Sequence, residues 1–307
     1  MYYFIVNPNA SGGRSNKIWK RIERQLNHLE ISYQAFVTEK PGDAIVYAAR
    51  LTEGCKEPRV IITVGGDGTV NEVLDGLAFC GPVTLGYIPA GSGNDLARSL
   101  KLSRRPSRCL RKILSPKYYK LLDYGVISYG EKMEHRRFMV SAGMGMDGAV
   151  CHSLAYSRMK QVLNRFRMGK LSYWAAGICQ LVRAYPVKGY LLLDGAQKVE
   201  LNHIYFVSAH IHAYEGGGFK FAPAADPCDG RLTLCVVHHS GKLGLIPFLV
   251  SSLLGHQKKY RGVRSYQCRE VEIHTERPMP VHVDGESCMS QKAVHLRCIQ
   301  GKVRMIV

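Results

Sequence analysis

Short β-branched runs and amphipathic stretches alternate along the first third of the chain. Tyr2 to Val6 reads as a strand, and Lys17 to Leu29 as a helix with Ile18, Ile22, Leu26 and Leu29 on one face. Tyr33 to Thr38 and Asp43 to Leu51 repeat the pair. Val60 to Val64 then leads into a helix from Thr69 to Leu77, and Val83 to Ile88 into one from Leu96 to Leu100. Strands that alternate with helices predict a parallel α/β layer. Past Asp123 the period changes. Gly125 to Tyr129, Arg137 to Ser141, Lys188 to Leu193, His203 to Ala209, Arg231 to His238, Glu270 to His274 and Pro280 to Val283 read as strands, punctuated by Asp194-Gly195 and Asp229-Gly230. This half predicts a mainly β domain with one helical insertion from about Ala149 to Val182. The closing segment, Ala293 to Val307, is strand-like, and pattern alone assigns it to neither domain.

Composition narrows this picture. A chain of 307 residues with 46% apolar content can bury two cores. Its 42 Lys and Arg against 24 Asp and Glu give a formal charge of +18, a field that attracts nucleotides, nucleic acids and anionic membranes alike. No helix-turn-helix, zinc finger or aromatic-basic RNA motif stands out, so nucleic acid is not the expected partner. The N-terminus lacks the basic start and apolar run of a signal peptide, and the expected location is the cytoplasm. Leu243 to Leu254 is apolar but carries Pro247 and falls well short of the ~20 residues that span a bilayer. The ten cysteines are scattered, with no close pair, and are expected as reduced thiols. His210-x-His212 could face one side of a strand, yet no neighbour in sequence completes a metal site, and a structural role is expected.

The candidate chemistry lies in glycine loops. Gly65-Gly66-Asp67-Gly68-Thr69-Val70-Asn71 joins a buried strand to a helix, where glycine lets backbone N–H groups converge on an anion and the helix start adds a positive dipole end. Asp67 would repel bare phosphate and so is expected to work through magnesium or water. Two further loops, Asn7-Pro8-x-x-Ser11-Gly12-Gly13 and Gly91-Ser92-Gly93-Asn94-Asp95, follow strands of the same layer, and the three outline one crevice at strand ends. None is a P-loop, because no Gly-Lys-Ser or Gly-Lys-Thr follows. Gly143-x-Gly145-x-x-Gly148 matches a dinucleotide fingerprint, but no acid occurs between Asp147 and Asp194 to hold a ribose, and it is rejected as a cofactor site.

Taken in order, Asn7-Pro8 with Ser11-Gly12, Gly65 to Asn71 and Pro89-x-Gly91-Ser92-Gly93-Asn94-Asp95 resemble the diacylglycerol kinase catalytic-domain family, particularly its bacterial soluble lipid kinases. Gly216-Gly217-Gly218, Phe221-Ala222-Pro223-x-Ala225, Asp229-Gly230-x-Leu232 and Asp284-Gly285-Glu286 extend the resemblance over nearly the whole chain. It implies an α/β nucleotide-binding domain over residues 1–123, rejoined by a C-terminal strand from about 296 to 307. A β-sandwich-like lipid-substrate domain would cover 124–295, with ATP in the cleft between the two. Nucleotide-binding positions carry over to Asn7, Thr38, Gly65, Gly66, Asp67, Gly68, Thr69, Asn71 and Ser92. Ser92 departs from the family's usual threonine but keeps the hydroxyl. A bracing Mg2+ ion would take Asp226, Asp229 and the carbonyl of Arg231.

By the same resemblance the general base falls in Asp284-Gly285-Glu286, with Glu286 favoured over Asp284. On an extended strand without a bulge, His282, Asp284 and Glu286 would share one face. Phosphoryl transfer needs nucleotide, magnesium and acceptor oxygen aligned, so Asp67 joins Glu286 and Asp284 as catalytic candidates. Asp123 and Asp147 are the candidates beside the acceptor entrance. Arg158, Lys160, Arg165, Arg167, Lys170, Arg183 and Lys188, interleaved with apolar residues, suit peripheral contact with an anionic inner membrane surface. The expected reaction is ATP- and Mg2+-dependent phosphorylation of a lipid hydroxyl, most simply diacylglycerol to phosphatidic acid. Alternatives are a sphingoid base, another lipid alcohol, or a soluble acceptor as in NAD kinases, which share the Gly-Gly-Asp-Gly-Thr loop. The resemblance also suggests a homodimer.

Overall fold

In the computed structural model the described residues are 1–155, 184–238, 241–254 and 260–307. They divide into two compact units, Met1–Leu122 with Gly301–Val307, and Asp123–Gln300.

Unit one runs β1 (Tyr2–Val6), α1 (Arg14–His28), β2 (Tyr33–Val37), α2 (Asp43–Thr52), β3 (Arg59–Gly65), α3 (Asp67–Gly76), β4 (Val83–Pro89), α4 (Asp95–Ser99) and α5 (Pro106–Leu114). Its strands pair in parallel in the order β4-β3-β1-β2. Beyond β4 the end of the last strand of the chain, β13 (Glu286–Ile306), joins in parallel through Met305 opposite Leu85. The apolar positions explain the layering: Phe4, Val6, Ile62, Val64 and Ile88 meet Trp19, Ile22 and Leu26 of α1 and Cys109, Leu110 and Ile113 of α5. Helix α5 went unread in the sequence because its apolar face is only three residues wide among Arg108, Arg111 and Lys112. Helix α3 starts at Asp67 rather than Thr69, so the second half of the glycine loop, Asp67-Gly68-Thr69, is itself the first helical turn.

Unit two comprises most of β5 (Tyr119–Tyr129), then β6 (Glu134–Phe138), β7 (Ser141–Gly145), α6 (Met146–Ala155), β8 (Val187–Leu193), β9 (Gln197–His210), β10 (Leu232–His238), α7 (Lys242–Leu254), β11 (Val263–Cys268), β12 (Glu270–Val283) and most of β13. The order β11-β10-β9-β7-β12-β13 is antiparallel throughout, and β8 pairs with both β9 and β12. Ile127, Phe138, Met144, Leu191, Ile204, Val207, Leu234, Val271, Ile273, Val281 and Leu296 form its core. The expected insertion begins as α6; its remainder, with every basic residue named for it except Lys188, lies outside the described residues, and Lys188 sits in β8.

Strand β7 accounts for the false fingerprint. It is antiparallel to both neighbours, so Gly143-x-Gly145-x-x-Gly148 opens no parallel βαβ crossover. Its glycines make room instead: a side chain on Gly143 would collide with Asp147 and His282, and one on Gly148 with the carbonyl of Pro280.

Candidate active site

The three glycine loops of unit one sit at the C-terminal ends of β1, β3 and β4 and touch one another. Gly66 and Gly91 approach so closely that a Cβ on Gly91 would strike the Gly66 backbone. The Asn7 amide donates to Thr69 Oγ1 at 3.2 Å, and Ser92 Oγ donates to Ser11 Oγ at 3.4 Å. Backbone bonds continue the seam, with Asn7 N–H donating to the Val64 carbonyl (2.9 Å) and Ala90 N–H to that of Gly65 (2.7 Å). Thr38 is buried at the end of β2, its N–H donating to Val6. Asn94 takes a left-handed backbone and closes its own loop by accepting from Gly91 N–H (3.0 Å) while donating to the Gly91 carbonyl (2.8 Å). The Tyr87 hydroxyl donates to the same Asn94 oxygen at 3.1 Å, fixing the loop from below.

Asp67 is the pivot of this group. Its carboxylate accepts the N–H groups of Asp95 (2.9 Å) and Leu96 (3.2 Å), so it caps α4 while standing in the first turn of α3. Burial raises its pKa; those N–H groups and Arg98, itself paired with Asp95, work against the rise. The capping role of Asp95 N–H and the brace of Arg98 were not read from the sequence. Asn94-Asp95 three residues before Arg98 is the signal that could have suggested them.

In unit two, Asp284 and Gly285 have φ angles of 46° and 87° and form a two-residue hairpin turn between β12 and β13, with Val283 opposite Glu286. The extended strand that would align His282, Asp284 and Glu286 is therefore absent. A turn carrying two left-handed residues reverses the chain there. The Asp284 carboxylate instead accepts three successive N–H groups, from Met139 (2.7 Å), Val140 (2.9 Å) and Ser141 (2.9 Å). Glu286 is partly exposed and pairs with Arg136 of β6 at 2.9 Å. Asp123 is buried, accepts the Gly230 N–H at 2.7 Å and donates its own N–H to Pro227. Asp226 and Asp229 each accept a bond from the N–H two residues on, Cys228 (3.1 Å) and Arg231 (2.9 Å), so the loop is a pair of tight Asx turns.

Asp147 lies in a buried cluster that sequence reading did not assemble. His282 Nε2 is 3.2 Å from Asp147 Oδ2 and 3.4 Å from Glu215 Oε1, and His210 Nε2 is 3.4 Å from Glu215 Oε2. Glu215 and His282 are the charged neighbours of His210 in this cluster. Gly216, Gly217 and Gly218 all take positive φ and fold the chain back so that Glu215 bridges Phe219, which places its carboxylate in the cluster. Burial lowers the His282 pKa, but the facing carboxylates of Glu215 and Asp147, with Asp284, outweigh it and leave it at about 9. His210 moves the other way, down to about 3, through burial and the charge on His282.

Comparison with known proteins bears on both units. Residues 1–122 match the family described as "Diacylglycerol kinase catalytic domain", and residues 119–307 match the "YegS C-terminal NAD kinase beta sandwich-like domain". A protein named "Putative lipid kinase YtlR" from Bacillus subtilis (strain 168) is 26% identical over 291 residues, 93% of each chain. A protein named "Diacylglycerol kinase" from Mycobacterium tuberculosis (strain ATCC 25618 / H37Rv) is 26% identical over 284 residues, 92% of this chain and 87% of the relative. The solved structure titled "A putative diacylglycerol kinase from Bacillus anthracis str. Sterne" superposes with a TM-score of 0.77 over 99% of this chain and 96% of that one, at 23% identity, a likeness of fold.

Proposed function

The chain belongs to the family that joins a diacylglycerol kinase catalytic domain to a YegS-type β-sandwich-like domain, and from that premise we propose that it transfers the γ-phosphate of ATP to a lipid hydroxyl, diacylglycerol foremost. The observation that carries this reading is the convergence of three glycine loops at one end of a parallel sheet, locked by Gly66 against Gly91 and Asn7 against Thr69. Backbone N–H groups there suit phosphate oxygens, and Asn7, Thr38, Gly65 to Thr69, Asn71 and Ser92 are the proposed nucleotide contacts.

Magnesium fits the donor chemistry present. Asp67 offers hard carboxylate oxygens at the glycine loop, and Asp226, Asp229 and the Arg231 carbonyl offer hard oxygens in one tight turn. When bound, the ion would neutralise phosphate charge in the first site and brace the loop in the second. Glu286 is the proposed general base: its carboxylate takes the proton of the acceptor hydroxyl as that oxygen bonds to the γ-phosphorus and ADP leaves. Arg136 holds the carboxylate in place. Asp284 supports it as a positioning residue, by clamping the turn that presents Glu286. Asp123 and Asp147 are likewise proposed to shape the acceptor side, Asp123 through the Pro227 to Gly230 loop and Asp147 through His282.

No described helix is long and apolar enough to cross a membrane. A chain with a formal charge of +18 is suited to peripheral contact with anionic lipid, where its substrate resides. The test is transfer of labelled γ-phosphate from magnesium ATP to a panel of lipids in anionic mixed micelles, with NAD as soluble control. Labelled phosphatidic acid is the expected product, and label on NAD alone would overturn the lipid reading. Glu286→Gln should lower turnover by about 10²–10⁴-fold while leaving ATP affinity within twofold, the scale of a lost general base.

A further inference from the structure

The buried cluster of unit two has a construction that the phosphoryl-transfer reading does not use. Across the sheet, His282 of β12 pairs with Gly143 of β7, Gly143 with Ser208 of β9, and Ser208 with Cys235 of β10. Residues paired in this way point to the same face. Gly143 has no side chain, so the row has a gap at its centre, flanked by His282 and Ser208. Asp147 enters that gap from α6, since a Cβ on Gly143 would strike its carboxylate and stand 2.9 Å from His282 Nε2. Glu215 reaches the same place from its glycine turn, and His210 lies two residues beyond Ser208 on the same face, its Nε2 2.8 Å from Ser208 Oγ.

We propose that Asp147, Glu215 and His282 bind a divalent cation of the zinc class, at a site distinct from any magnesium that accompanies the nucleotide. One donor atom from each residue lies within 4.8 Å of the others. The separations of 3.2 and 3.4 Å from His282 Nε2 to the two carboxylates match the edge of a tetrahedron with metal–ligand bonds of ~2.0–2.1 Å, an edge of ~3.3–3.4 Å. His282 is fully buried, and its Nε2 is the atom aimed between the carboxylates. Imidazole with two carboxylates suits zinc, manganese or iron(II), whereas magnesium favours an all-oxygen shell. The Cys235 thiol, next in the row beyond Ser208, adds a soft group near the site. A cation here would tie α6, the Glu215 turn and β12 together, three elements distant in sequence.

The experiment uses the full chain, stripped with chelator and titrated with Co2+ as a spectroscopic stand-in for zinc. One equivalent should bind, with visible d–d absorption that zinc displaces, and zinc should raise the unfolding temperature. His282→Gln and Glu215→Gln, each checked for folding by circular dichroism, should weaken Co2+ binding at least tenfold. Asp229→Asn should bind as the wild type does, which separates this site from the Asp226 to Arg231 loop. The zinc-edge X-ray absorption spectrum of the wild-type complex reads the donors without any variant, and imidazole with oxygen is expected. Absence of saturable Co2+ binding, wild-type affinity in both folded variants, or an oxygen-only spectrum overturns the site. Because metal binding is read directly, a chain that binds cobalt but phosphorylates no lipid would sink the proposed function and leave this site standing.

Discussion

The glycine loops of unit one and the buried cluster of unit two are both places where the fold gathers polar groups, but they are written into the chain differently. In unit one the recognising groups are backbone N–H groups of consecutive residues, so each loop is a contiguous string such as Gly65 to Thr69. In unit two the groups are side chains from α6, β9, the Glu215 turn and β12, and Asp147 and His282 are 135 residues apart. Backbone recognition leaves a local motif. Side-chain recognition leaves a register, which exists only after the sheet has formed.

Asp284 tests the boundary between these cases, because a local motif, Asp284-Gly285-Glu286, performs a non-local task. Removing its carboxylate leaves three N–H groups of residues 139–141 without their acceptor. Asp284→Ala is expected to lower stability by about 3 kcal/mol, since bonds to a charged group are worth ~1.5–3 kcal/mol each and water recovers part of the loss. Urea unfolding measures it. A loss under about 1 kcal/mol would mean that the turn geometry alone holds the hairpin.

Gly91→Ala comes next. The added methyl would strike the backbone of Gly66, and overpacking of that kind costs about 1–3 kcal/mol. The expected signature is selective: ATP affinity falls at least tenfold in calorimetry, while cobalt binding by unit two is unchanged. Equal ATP affinity would show that the two loops can separate without consequence for the nucleotide.

The same contrast explains what could be read in advance. The parallel layer of unit one was legible because each strand feeds a glycine turn and an amphipathic helix, and the β character of unit two because turn pairs such as Asp194-Gly195 bound its strands. Helix α5 escaped because three buried residues, Cys109, Leu110 and Ile113, make too narrow a stripe among basic neighbours. At Asp284 the alternation of His282, Asp284 and Glu286 fits a strand and Asp-Gly fits a type I′ turn, and the structure takes the turn. For the cluster, the pattern His210-x-His212 suggests one face of one strand, but β9 ends at His210 and His212 lies beyond it. Glu215 joins the cluster through the glycine turn that follows, and His282 only through pairings of β7 with β9 and β12 that no local pattern encodes.

Asp67 is where the smallest structural change should separate two roles. As a cap of α4 it needs only oxygen acceptors for the N–H groups of Asp95 and Leu96. Asparagine keeps one carbonyl oxygen and turns an amide NH2 toward the second N–H, so Asp67→Asn should cost about 1 kcal/mol, and alanine, which removes both acceptors, about 2 kcal/mol. If capping were the whole function, Asp67→Asn would lose turnover no further than its loss of stability accounts for. The proposed role toward magnesium needs the negative charge as well as the oxygen, because a neutral amide is a poorer partner for a hard divalent cation. Asp67→Asn is therefore expected to remain folded at the assay temperature and lose at least tenfold in turnover, with the loss growing as free magnesium is lowered. Wild-type turnover at limiting magnesium would leave Asp67 as a purely structural link between α3 and α4.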